Sequence, residues 1–144
     1  MKPTILLVHI LLVGIWLGCV LTEALFERAL LGKGREQERI LTRLHKRVDV
    51  WIEIPAFVGV LISGGVLLNY ADWNPILQTK IMLGLVAIAA NAYCVGLVFR
   101  RAKAADSGDW ERFEALDHLQ HIWGAVVLVA ILLALGLGVY LWSR

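Results

Sequence analysis

The sequence predicts an all-α integral membrane protein: a four-transmembrane-helix up-down bundle with both termini on the non-cytoplasmic side. Three observations predict it. Hydrophobic residues make up 59% of the 144 positions, more apolar surface than a soluble fold of this size can bury. Four apolar runs, about Thr4 to Leu25, Val48 to Tyr70, Ile76 to Phe99 and Ile122 to Trp142, each approach or exceed the roughly 20 residues that cross about 30 Å of hydrocarbon. The basic residues fall almost wholly into two of the three connections.

Each run should be helical, because in lipid the backbone must satisfy its own hydrogen bonds. The first helix is expected over about 4–27. It begins with Lys2 and is apolar, like a secretory leader. It is nonetheless longer than a usual leader core and lacks a small-x-small exit, so it reads as a retained span. The second is expected over about 37–70. Ile40, Leu41, Leu44, Val48, Trp51 and Ile52 recur at helical spacing, so this helix starts well before its apolar run. Asn74-Pro75 punctuates helices two and three. The third helix is expected over about 76–101, with Ala102 to Gly108 as a flexible loop. The fourth is expected over about 110–142, capped by Asp109. The whole chain, 1–144, forms one domain.

Charge sets the orientation. The first connection holds Arg28, Lys33, Arg35, Arg39, Arg43, Lys46 and Arg47, and the third holds Arg100, Arg101, Lys103 and Arg112. The second, Ala71 to Pro75, has no basic residue and carries Asp72. The positive-inside rule puts the first and third connections in the cytoplasm and both termini outside, the periplasm if the membrane is a bacterial inner membrane. A net charge of +2 is too small to imply a nucleic-acid partner. Cys19 and Cys94 lie inside apolar runs and read as small core residues, with no disulfide framework. Gly14 and Gly18, Gly59, Gly64 and Gly65, Gly84 and Gly96, and Gly136 and Gly138 offer small-residue faces. Such faces permit close helix approach within the chain, in a homo-oligomer or in a larger membrane complex.

Ionisable groups at membrane depth are costly and mark function. They fall into two layers. The inner layer holds Glu23 and Glu27 on helix one, His45, Asp49 and Glu53 at i, i+4, i+8 on helix two, and Glu114, Asp117, His118 and His121 opening helix four. The outer layer holds His9, about a turn inside helix one, and Lys80, about a turn inside helix three. His9, Trp16 and Glu23 repeat every seven residues and form one polar-aromatic stripe. Pro55 should kink helix two and free the carbonyl near Trp51.

Three chemistries compete for these groups. Haem b needs axial ligands from opposite sides, and helices two and four are diagonal, so His45 could face His118 or His121. A transition-metal site could draw on Glu23, His45, Asp49, Glu53, His118 and His121, a set of imidazoles and carboxylates suited to zinc, iron or copper(II). A Glu53–Asp49–His45 ladder could also relay protons without a metal. A purely structural subunit of a larger complex, in which His45 and His118 are merely solvated and Lys80 snorkels outward, needs none of these.

His9-Ile-Leu-Leu-Val-Gly-Ile-Trp16-Leu-Gly18 resembles the first-helix signature of the HemJ/CopD-like membrane proteins. Ile62-Ser63-Gly64-Gly65-Val-Leu-Leu68 resembles their second-helix ending, and Leu77-Gln78-Thr79-Lys80-Ile-Met-Leu83 the Lys-led start of their third helix. The resemblance implies a four-helix bundle. For the HemJ branch it implies b-type haem binding and protoporphyrinogen oxidation, and for the CopD branch copper uptake or handling. It gives His9 and Lys80, with Trp16 beside them, a cofactor-binding weight. The inner layer of carboxylates and histidines lies outside it.

The orientation is directly testable. A phosphatase reporter that works only outside the cytoplasm should be active when fused after Arg144 and silent when fused at Ser107. The reverse pattern would invert the assignment.

Overall fold

The computed structural model describes residues 2–143, which form four long helices joined by short connections. They are α1 (Lys2–Leu30), α2 (Arg35–Leu68), α3 (Pro75–Ser107) and α4 (Trp110–Trp142), and each is long and apolar enough to cross a membrane. The up-down bundle of four helices expected from the sequence is present. α1 packs on α2, the first half of α2 on α3, and α3 on α4 along much of their length. α1 and α4 touch little, and the diagonal pairs do not bring their backbones together. At about 1.5 Å per residue the longer helices outreach a hydrocarbon layer of about 30 Å. The excess of α2, α3 and α4 lies at the end bearing the first and third connections, called here the basic end. The opposite, terminal end carries Lys2, Ser143 and the Asn69–Asn74 turn.

The turns follow from local chemistry. Gly32 and Gly34 close the first connection at φ 71° and 121°, where a side chain would be strained. The Gly32 N–H donates to Glu38 (3.2 Å), which also pairs with Arg35. Asn74 caps α3 by accepting from the Leu77 N–H (2.9 Å), and Pro75 occupies the first turn, where no N–H is needed. Asp109 caps α4 as expected, accepting from the Arg112 N–H (3.2 Å).

The expected loop over Ala102–Gly108 is a correction. α3 continues through Ser107 and stops only at Gly108, whose φ of 75° is the left-handed helix-ending conformation. Three alanines in this stretch, the best helix formers, let it pack tightly. Ala104 and Ala105 are buried against Phe113 and Trp110 of α4 and Leu31. The other boundaries shift by a few residues: α1 reaches Leu30, and α2 runs from Arg35 to Leu68 rather than 37–70.

α2 is not regular. Residues Asp49–Glu53 form a π-helical turn just before Pro55, and the Ile54 N–H reaches back five residues to the Asp49 carbonyl. The cause is Pro55, which has no N–H for the Trp51 carbonyl. The turn also matters for the site. Four residues of α-helix overshoot a full revolution by about 40°, so His45, Asp49 and Glu53 would drift apart around a straight helix. The wider π turn takes back that drift, and all three are buried, at 3%, 1% and 3% exposure. Between them Val50, Trp51 and Ile52 face outward.

The middle of the bundle is apolar. Trp16, Ala56, Phe57, Val60, Ala87, Ala90, Val127, Ala130 and Ile131 form one buried cluster. Its polar anchor is Trp16, whose indole N–H donates to Asn91 Oδ1 across the bundle (3.1 Å) and whose ring meets Phe57 at 6.0 Å between centroids. Replacing Trp16 by Phe removes that donor from a buried acceptor, a loss of about 1–3 kcal/mol. The thermal unfolding midpoint in detergent should fall, while Trp51→Phe, at the outward-facing position, should leave it unchanged.

Candidate functional site

The polar groups of the bundle segregate along its axis. Near the terminal end, His9 Nδ1 lies 2.8 Å from Ser63 Oγ. The Ser63 hydroxyl donates to the Gly59 carbonyl (2.6 Å), so His9 Nδ1–H donates to Ser63. Gly64 makes room for the imidazole: a Cβ there would lie 3.3 Å from His9 Cε1. Lys80 lies along Gly138, where a Cβ would approach its Cε to 3.0 Å. Trp16, expected as a cofactor contact, is 2% exposed and held by Asn91. His9 and Glu23 are 14 residues apart on α1, about 21 Å, and the apolar cluster stands between them.

Towards the basic end, α1 and α2 bring Glu23, Glu27, His45, Asp49 and Glu53 together. His45 Nε2 lies 2.9 Å from Glu23 and Nδ1 3.2 Å from Glu27. Both ring nitrogens thus face carboxylates. Asp49 lies within hydrogen-bonding reach of both Glu23 and Glu53. The burial of His45, 3% exposed, does not fit the alternative in which it is merely solvated.

α3 and α4 complete the cluster with residues the sequence reading did not select. Arg101, read there only as part of a basic loop, has 0% exposure. Its Nη2 meets Glu27 at 2.5 Å and lies 3.1 Å from His45 Nδ1, and its Nη1 pairs with Asp117. Asn91 and Gln120 are also buried here, with Gln120 Nε2 at 3.4 Å from both nitrogens of His45. The available signal for Arg101 was the run Ala102, Ala104, Ala105, small residues that mark a packed helix face.

His121 and His118 part company. His121 Nδ1 lies 2.9 Å from the Asp117 carbonyl and 3.5 Å from its carboxylate, on the half-exposed rim of the cluster. His118 is exposed on another face of α4 and does not join the cluster.

Two ligand-like groups result. Donor atoms of Glu23, His45 and Asp49 lie within 4.8 Å of one another, and so do those of Glu27, Asp117 and His121. Arg101 already bridges Glu27 and Asp117, so the second group holds its own cation. The first consists of two carboxylates and the His45 imidazole. Glu23 Oε1 and Asp49 Oδ2 are buried without a hydrogen-bond partner, as are Glu27 Oε2, Gln120 Oε1, Asn91 Nδ2 and Arg101 Nε. Unsatisfied buried polar atoms on this scale are unusual in a folded core.

Apart from Arg101, the residues that carry these atoms line a cavity of about 500 Å³. Glu23, His45, Asp49 and Glu53 line one part of it, and the rest of its lining comes from α1, α3 and α4, including Val20, Ala24, Val95, Gly124 and Leu128. It forms where α1 and α4 fail to pack against each other. Comparison of the chain with protein-family models, curated proteins and solved structures finds no match, so the HemJ/CopD-like resemblance rests on its motifs alone.

Arg101 is the group whose loss should cost most. Arg101→Met keeps the length but leaves Glu27 and Asp117 buried without their cation, a penalty of about 3–5 kcal/mol. Arg100→Met, at the exposed neighbouring position, should stay within about 0.5 kcal/mol. Unfolding midpoints in detergent compare the two directly.

Proposed function

We propose that this protein is a metal-binding membrane protein that holds a divalent transition-metal ion in the inner half of its bundle, through Glu23, His45 and Asp49 with Glu53 beside them. One observation carries the reading: three donors from two helices converge within 4.8 Å, and the two carboxylates each keep a buried oxygen with no partner. Charge points the same way. Five carboxylates (Glu23, Glu27, Asp49, Glu53 and Asp117) face two permanent cations, Arg101 and, at the cavity rim, Arg28, and two histidines. An uncompensated buried anion is expensive, and a divalent cation at the first group offsets it.

The donor set selects the ion. Imidazole with carboxylate suits zinc, iron(II) or copper(II). Copper(I) prefers sulfur, and neither Cys19 nor Cys94 joins a ligand group among the described residues. A copper-handling role therefore concerns copper(II). Haem b is less well served, because His45 has carboxylates on both nitrogens and His118 faces away. His121, with Nδ1 turned to a backbone carbonyl, is the imidazole better disposed to ligate through Nε2. In this reading the basic end lies in the cytoplasm and both termini lie outside, as in a bacterial inner-membrane protein.

Elemental analysis and an absorption spectrum of the purified protein test the proposal. About one zinc, iron or copper per chain, without a Soret band, is expected, and Asp49→Asn should weaken the affinity about tenfold or more. Protein that takes up none of these ions after dialysis against each would end the metal reading. A Soret band lost in His121→Ala would replace it with haem.

A further inference from the structure

The cavity is much larger than a metal ion needs, and its chemistry is lopsided. At about 500 Å³ it falls within the size range of small-molecule sites. Its carboxylates lie on α1 and α2, much of the facing lining is apolar, with Val20 and Ala24 on α1, Val95 on α3 and Gly124, Ala125 and Leu128 on α4, and Arg28 and His121 stand at its rim. Ala24 and Ala125 are exposed at its edge, on the side where α1 and α4 barely touch. In a bilayer the Ala24 and Ala125 side of this opening faces acyl chains, while Arg28 and His121, also exposed, rim it toward the basic end. A ligand reaching the carboxylates from the acyl-chain side must dissolve in lipid. It must also bring positive charge, because the carboxylates outnumber the cations and four of the six unpartnered atoms are acceptors: Glu23 Oε1, Glu27 Oε2, Asp49 Oδ2 and Gln120 Oε1. Asp49, 1% exposed and with Oδ2 free, is the innermost of these anchors for charge.

We propose that this cleft binds a lipophilic organic cation, a bulky apolar body carrying one positive charge, which enters between α1 and α4 and sets its charge against Glu23 and Asp49. The ligand goes beyond the metal ion proposed above and competes with it for the same carboxylates. The apolar body lies against the α4 wall at Gly124. A Cβ at that glycine meets nothing within 4 Å, so the space in front of it is open, and a larger side chain there would fill the volume the ligand requires.

Equilibrium dialysis of the detergent-purified protein with radiolabelled tetraphenylphosphonium, a permanently charged lipophilic cation, tests this. One saturable site per chain is expected, weakened about tenfold or more in Asp49→Asn and in Gly124→Leu, and unaffected in Trp51→Phe. Size-exclusion chromatography and circular dichroism check that each variant is folded. Should Gly124→Leu misfold, Leu128→Phe narrows the same wall. Zinc added at saturation should displace the probe. Absence of saturable binding, or equal binding by folded Gly124→Leu or Leu128→Phe, overturns the proposal. Metal uptake without saturable probe binding removes this inference and leaves the metal reading. Probe binding without metal uptake supports this inference and removes the metal reading.

Discussion

The arrangement of the basic half of the bundle depends on Arg101. Its guanidinium is fully buried and meets Glu27 of α1, Asp117 of α4 and the edge of His45 on α2, while its own backbone belongs to α3. One side chain thus touches a charged group on every other helix. Burying an ion network is no guarantee of net stability, since desolvation cancels much of the attraction. It does specify register. Sliding any helix by one turn would strand a charge in a low-dielectric interior, so the four helices have one relative position in which all the partners meet.

A second constraint runs along the axis. The apolar cluster around Trp16 and Phe57 divides two polar regions of opposite character. On the terminal side the ionisable groups are basic, His9 and Lys80, each fitted beside a glycine of a neighbouring helix. On the other side carboxylates dominate. Membrane helices have little hydrophobic drive to associate with one another in lipid, so close approach at small residues and polar pairing must supply specificity. The Trp16–Asn91 bond, the His9–Ser63 bond and the Arg101 network do this at three successive depths.

The motifs that resemble the HemJ/CopD-like proteins lie in the terminal half of the bundle, around His9, Ser63 and Lys80. The largest collection of unpartnered buried atoms lies in the other half. The π turn before Pro55 belongs to this second region and keeps Asp49 and Glu53 aimed inward beside His45. Such turns occur frequently at functional sites. Here the local cause is a missing N–H and the consequence is a continuous acidic face.

The sequence by itself determined the four spans, their up-down order and the inward face of His45, Asp49 and Glu53. Hydrophobic run length and helical periodicity are local quantities that the chain carries without reference to its partners. The break at Asn74-Pro75 and the cap at Asp109 were legible for the same reason. Only the tertiary structure decided which of the polar residues meet. Arg101 looked like one more basic loop residue because neither the continuation of α3 to Ser107 nor the packing of its alanines can be read from charge. Asn91 and Gln120 carry no pattern at all, and His118 differs from His121 only by the helix face it occupies. The gap between α1 and α4, which makes the cavity, has no local signature. It arises because the other neighbouring helix pairs pack more closely, and that comparison exists only once all four helices are assembled.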